Sequence, residues 1–170
     1  KKKYKNVVGV EPAKNLSDLN KKKKIKINTF FFNYKNSFLL KKKYRKFKLI
    51  TANNVCAHIP DVDDFFKGVK NILDDNGVFV FEVSYLLDVI NKLTFDTIYH
   101  EHMSYHTIKP LIKFARKNNL QVFDFDLIKA QGGSIRIYVS HLGIKKVNNK
   151  KIKKQISLEN NKRLFSENLY

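Results

Sequence analysis

The sequence has 170 residues, 43% of them hydrophobic, which fits one domain with a sizeable core and excludes a disordered tail. Its net charge of +19 lies in lysine runs before, between and after the apolar segments, as on solvated turns, so nucleic acid is not the expected partner. One cysteine, Cys56, excludes an internal disulfide framework, fits a cytoplasmic protein and is expected in the core. No apolar run reaches the roughly 20 residues of a membrane span, so no membrane partner is expected.

The first half of the chain predicts strands that alternate with helices. A β-branched run ends where Pro12 follows Glu11, because proline cannot continue a ladder. The run from Phe47 to Ala52 is apolar on both faces, which is typical of the middle of a parallel sheet. The predicted elements are a strand ending at Val10, a helix from Ser17, a strand in "KIKINTFFF", a helix from Ser37 to Lys46 and the strand from Phe47 to Ala52.

The second half continues the alternation and closes with a hairpin. Pro60 and Asp61 open a helix with apolar residues at helical spacing, which ends at "DDNG". The later elements are a strand in "GVFVFEVSYL", a helix from Ile108 to Asn119, and strands in "LQVFDFDLI" and "SIRIYVSHL" joined by "KAQGGS". This order predicts a doubly wound α/β sheet, mostly parallel, with a closing antiparallel hairpin. Residues 1–144 form the expected domain, and 145–170 the start of a carboxyl-terminal region.

Ligands of such sheets bind at the carboxyl ends of the strands, which nominates Glu11, Asn33, Asn53, Asn54 and the residues from Glu82 to Tyr85. A carboxylate can accept both hydroxyls of an adenosine ribose, although a solvated glutamate at a strand end explains Glu11 equally well. Asn53, Asn54 and His58 fit either a ligand-facing loop or a satisfied turn before a helix that Asp61 caps. The sequence contains no G-x-G-x-x-G or P-loop motif. Since the glycine-rich turn of such folds follows the first strand, we expect the sequence to begin one strand late.

The segment "IYHEHMSYH", residues 98–106, allows three interpretations. His102 and His106 have helical ligand spacing, whereas His100 and His102 share a face only in an extended segment, which disfavours zinc. A polar surface loop is the second interpretation. The third, which we favour, is acid–base chemistry: histidine titrates near neutrality, and Tyr99 and Glu101 are placed to orient and tune it. Such a group suits removal of a proton next to a carbonyl.

Three blocks in order, "TANNVCAHIPD", "YHEHMSY" and "QGGSIR", resemble the S-adenosylmethionine-dependent sugar C-methyltransferases that act on nucleotide-linked 4-keto-deoxy sugars. The likeness runs from Val7 to Val139. It implies a class I, Rossmann-like methyltransferase sheet, S-adenosylmethionine as cofactor and a nucleotide-sugar substrate. It also implies His102 as the general base, assisted by Tyr99 and Glu101, with Glu11, Asn53 and Asn54 on the cofactor side. The substrate-binding residues that it implies are Tyr85, Gly132, Gly133, Ser134 and Arg136.

The sequence also departs from this family. Gln131 stands where relatives usually have histidine, so that position is not counted as catalytic. Three parts of the family pattern have no counterpart here: the amino-terminal zinc region, the glycine-rich cofactor loop and the second α/β region. We therefore expect a central fragment of such an enzyme and a complementing polypeptide. Zinc is expected only in the missing amino-terminal region. The alternatives are an O-methyltransferase of the same fold and an inactive, basic RNA- or anion-binding protein.

Overall fold

Short strands and helices alternate along the chain in the computed structural model, which describes residues 6–22, 25–162 and 164. The strands are β1 (Val8–Val10), β2 (Lys26–Asn28), β3 (Phe47–Asn53), β4 (Leu73–Ser84), β5 (Leu120–Ile128) and β6 (Ser134–His141). The helices are α1 (Lys14–Lys22), α2 (Tyr34–Tyr44), α3 (Val62–Ile72), α4 (Leu86–Lys92), α5 (Ile108–Lys117) and α6 (Asn149–Asn161). Short 3-10 helices occupy Cys56–His58, Phe95–Thr97 and Ala130–Gly132.

The strands form two sheets. The larger has the order β3-β4-β6-β5, with β3 parallel to β4 and with β6 antiparallel to both of its neighbours. The smaller sheet pairs β1 with β2 in parallel. The predicted α/β class and its closing β5–β6 hairpin are therefore confirmed. The apolar sequence of β3 predicted a position in the middle of the sheet. This prediction is wrong for the described residues, because β3 pairs there only with β4 and lies at a sheet edge.

The core lies between one face of the larger sheet and the helices α3 and α5. Its centre is a cluster of phenylalanines, in which the ring of Phe66 lies 5.6 Å from Phe79, 5.6 Å from Phe81 and 5.0 Å from Phe114. Cys56 is 1% exposed, which confirms it as a core residue. No helix within the described ranges is long and apolar enough to cross a bilayer.

Element boundaries differ from expectation where tertiary contacts outweigh local pattern. Strand β2 ends at Asn28 and does not extend through "FFF": Phe31 is 76% exposed, and Phe32 turns inward to pack on Phe65 at 5.1 Å. Helix α2 begins before Ser37, because the Asn33 side chain caps it by accepting a hydrogen bond from the backbone of Asn36.

Candidate active site

Strand β3 ends in a turn at Asn54, after which the chain leaves the sheet. Asn54 has φ 53°, in the left-handed region that asparagine tolerates, and its N–H donates to the Glu82 carbonyl of β4 at 2.9 Å. The chain then enters the 3-10 helix Cys56–His58. Burial raises the pKa of the Cys56 thiol to about 12, which suits a packing role and not a nucleophile.

The histidine loop, residues 97–106, docks on this short helix. The Met103 N–H donates to the Ala57 carbonyl at 2.8 Å, and His58 Nδ1 lies 3.0 Å from the Glu101 carbonyl. As a result the rings of His58 and His102 lie 4.9 Å apart. His58 was one of three polar side chains that the sequence places at or after the end of strand β3, and it was not assigned a role in the site.

The hydrogen bonds of His102 fix its tautomer. Nδ1 lies 2.8 Å from the Thr97 carbonyl, which can only accept, so Nδ1 carries the proton and donates it. In the neutral ring Nε2 then has the free lone pair. The Tyr99 hydroxyl lies 3.0 Å from Nε2 and donates to it. The predicted base and one of its predicted helpers are thus in direct contact, and the basic nitrogen faces the phenol.

The other polar residues of the loop lie elsewhere. The Glu101 side chain is 64% exposed and lies 3.9 Å from His100 Nε2, so it does not take part in the Tyr99–His102 pair. His106 lies 2.9 Å from the Ser104 hydroxyl, and burial lowers its pKa to about 4, which keeps it neutral. Within the part of the chain that is described, no three His, Cys, Asp or Glu residues converge as a metal site would require.

Tyr85 joins three parts of the structure. Its N–H donates to the Gly133 carbonyl at 3.1 Å, and its backbone forms a parallel bridge with His106. The side chain is 1% exposed. Its hydroxyl donates to Glu159 at 2.8 Å and accepts from Gln155 at 2.6 Å, and burial raises its pKa. Both hydrogen bonds of the hydroxyl are thus made inside the protein, and the side chain is a packed core residue.

The paired glycines form a tight turn against α4. Gly133 has φ 139°, and a Cβ there would lie 2.1 Å from Asp88 Oδ2, so only glycine fits. The Lys92 ammonium donates to the Gly132 carbonyl at 2.7 Å. Ser134 is fully buried and its hydroxyl donates to the Ala130 carbonyl at 3.2 Å. These contacts hold the turn beside Tyr85.

Arg136 pairs across the sheet with Glu82, which is 6% exposed. Its Nε and one terminal nitrogen donate to the same carboxylate oxygen at 3.1 and 2.9 Å. Asn53 lies opposite Glu82 on the other side of β4. One row across the sheet therefore carries predicted residues of both the cofactor and the substrate side. The Arg136 side chain is 37% exposed.

Glu11 lies on the smaller sheet, at the carboxyl end of β1. Its N–H donates to the Asn28 carbonyl at 3.1 Å, and its carboxylate accepts from the Ala13 N–H at 2.9 Å. The structure thus brings together Tyr99, His102 and His58 in one cluster and Asn53 and Arg136 in one row, while Glu11 belongs to a different sheet.

Residues 1–124 match the family described as a methyltransferase domain. The C-methyltransferase NovU from Streptomyces niveus is 31% identical over 134 residues, which cover 79% of this chain and 32% of that protein. The chain therefore spans about a third of the length of this curated relative.

Solved structures agree in fold. An S-adenosylmethionine-dependent methyltransferase from Clostridium acetobutylicum superposes with a TM-score of 0.60 at 16% identity, covering 83% of this chain and 77% of that one. Magnesium protoporphyrin IX methyltransferase from Synechocystis, solved with bound SAH, gives a TM-score of 0.57 at 11% identity and covers 79% of this chain and 64% of that one. With the match over residues 1–124, the chain belongs to the methyltransferase domain family.

Proposed function

We propose that this chain carries the substrate half of an S-adenosylmethionine-dependent C-methyltransferase acting on a nucleotide-linked 4-keto-deoxy sugar. The observation that carries the proposal is the Tyr99–His102 pair, in which a neutral imidazole with a fixed tautomer presents Nε2 as a base. The likeness to a C-methyltransferase supports carbon as the methylated atom.

The chain's own part in the reaction is to move a proton. His102 Nε2 takes the proton from the carbon next to the keto group, and the electron pair of the broken C–H bond moves toward the carbonyl to give an enolate. Two features favour this step. The Thr97 carbonyl stabilises the imidazolium that forms by holding Nδ1–H, and Tyr99, 42% exposed, can leave Nε2 when substrate arrives.

Glu11 is suited to hold the adenosine ribose of the cofactor. Its carboxylate is oriented at the carboxyl end of β1 by the Ala13 N–H, where it can accept the two hydroxyls of an adenosine ribose. When bound, S-adenosylmethionine supplies a methyl group already activated on a sulfonium. Asn53 and Asn54 would line the same crevice from β3.

A complementing strand is the second part of the proposal. Strands β1 and β3 belong to separate sheets, each has an edge that pairs with no strand among the described residues, and Leu49 on β3 is 55% exposed. Such edges accept a further strand readily. A strand placed between them would unite Glu11 with Asn53 in one continuous sheet.

Solvent-deuterium exchange at the sugar carbon tests the base directly, because it requires substrate and base but no methyl transfer. A 4-keto-deoxy sugar nucleotide incubated in D2O should take up deuterium with the native protein and not with His102→Gln. His100→Gln is the matched control: its side chain is 89% exposed and exchange should persist. Equal exchange in His102→Gln and the native protein would refute the proposal.

Tyr99→Phe separates two routes for the proton. Because this change frees Nε2, exchange should survive if His102 takes the proton directly and vanish if the phenol relays it. Methyl transfer to a substrate hydroxyl, without any exchange at carbon, would instead support an O-methyltransferase of the same fold.

A further inference from the structure

A buried carboxylate from the last helix reaches the start of the helix that follows the histidine loop. Glu159, in the last turn of α6, is fully buried. Its Oε1 accepts from the Ile108 N–H at 2.7 Å and from the Tyr85 hydroxyl at 2.8 Å, and its Oε2 accepts from the Lys109 N–H at 3.2 Å. Each oxygen thus has a donor, as a buried charge requires.

Glu159 takes the place of an N-cap residue for α5, because it accepts hydrogen bonds from the first N–H groups of that helix. The N-cap position of α5 is Thr107, whose side chain makes no capping bond and whose buried hydroxyl has no partner among the described residues. The first N–H groups of a helix need acceptors, and a negative charge there is favourable. Since α5 lacks a local cap, the Glu159 carboxylate of α6 provides both the hydrogen-bond acceptors and the negative charge.

Helix α6 is itself anchored at its other end. Lys151 in its first turn pairs with Asp124 and Asp126 of β5, both at 3.0 Å, and Ile152 is 6% exposed in the core. Ile152, Gln155 and Glu159 are the buried residues of one helical face. The carboxylate therefore belongs to an element that has its own contacts with β5 and the core, separate from the loop.

We propose that Glu159 is a positioning residue that holds the histidine loop in its working geometry. The loop ends at His106, whose carbonyl accepts from the Leu86 N–H at 3.0 Å, and Glu159 binds the backbone of Ile108 and Lys109 shortly after it. By fixing Ile108 and Tyr85 together, Glu159 clamps the end of the loop against α4. Its relevance to catalysis rests on the proposed function, in which His102 is the base.

Glu159→Gln tests this at nearly constant volume, because the amide presents N–H donors where Lys109 also donates. The amides of Leu86 and Met103 should lose about tenfold to a hundredfold of their hydrogen-exchange protection, the range for one hydrogen bond to a charged group. The ring nitrogens of His102 should change from a single Nδ1–H tautomer to a mixture in nitrogen-15 NMR. Unchanged protection together with an unchanged tautomer would overturn the proposal.

Ile152→Ala is the matched control on the same helix face. It removes core packing, so it should lower global stability while leaving the protection of Leu86 and Met103 unchanged relative to that of β5 and β6 amides. Equal selective loss in both variants would assign the loop's order to α6 packing in general and overturn a role for the carboxylate.

Two further outcomes keep the test decisive. If Glu159→Gln does not fold, native-state exchange of the unmodified chain in low urea replaces it: loop amides that stay protected after α6 amides exchange would refute the clamp. None of these readouts needs methyl transfer. If Glu159→Gln changes the loop as expected but the native protein does not deuterate the substrate, only the proposed function is refuted. If Glu159→Gln deuterates the substrate normally, only the relevance of Glu159 to catalysis is refuted.

Discussion

Acid should destabilise the fold through His106 more than through an exposed histidine. Burial lowers the pKa of His106 to about 4 from an ordinary 6.5. Between these values the unfolded chain takes up a proton that the folded chain does not, so stability falls as the pH drops through this window. At 1.36 kcal/mol per pKa unit, this shift corresponds to about 2 kcal/mol lost between pH 7.5 and 5.0.

Urea denaturation at both pH values measures the loss, and His106→Gln removes the titrating group while keeping a side chain that can bond to Ser104. The variant should lose about 2 kcal/mol less than the native chain on acidification. His100→Gln, at a side chain that is 89% exposed, should behave like the native chain. An identical pH dependence in the native chain and in His106→Gln would refute the reasoning, because the folded and unfolded forms of His106 would then bind protons alike.

Three other changes test the surroundings of the site. Gly133→Ala should cost about 2–3 kcal/mol in urea denaturation because its Cβ meets Asp88, whereas Gly143→Ala, with φ 76° and open space, should cost only about 1 kcal/mol; equal costs would contradict this. Arg136→Met should cost about 2–3 kcal/mol by leaving Glu82 buried and unpaired, and adding Glu82→Gln should recover part of it; strictly additive losses would be inconsistent with the pair. The isolated chain should bind S-adenosylmethionine weakly in calorimetric titration, since β1 and β3 lie in separate sheets; low-micromolar affinity would show a complete cofactor site.

Elements with strong local signals could be predicted from the sequence. Strand β5 has the predicted bounds, Leu120–Ile128, because its alternating apolar residues are flanked by polar ones. Helix α3 begins after Asp61, whose carboxylate caps it through the Asp64 N–H at 2.9 Å. In both cases the information lies within a few residues, so pattern and capping chemistry suffice.

The parts that could not be predicted depend on distant contacts. The sequence around Ser84 and Leu86 continues the apolar run of β4, yet the chain turns into α4 because Tyr85 bridges His106. The partner of the Tyr85 hydroxyl, Glu159, lies 74 residues later. His58 gained its importance only from the docking of the histidine loop. No local pattern encodes such pairings, and they decide what the site residues touch.

The geometry of the histidine loop is imposed from outside the loop. Its residues form little regular structure of their own, and polar loops of this kind keep a fixed shape only when a rigid scaffold holds them. The scaffold here has two independent contacts: the 3-10 helix Cys56–His58 holds the backbone of Glu101 and Met103, and the Leu86 N–H at the start of α4 holds the His106 carbonyl. His102 lies between these two contacts. Its orientation is therefore fixed from both sides, which explains how a loop with little regular structure can orient a basic nitrogen.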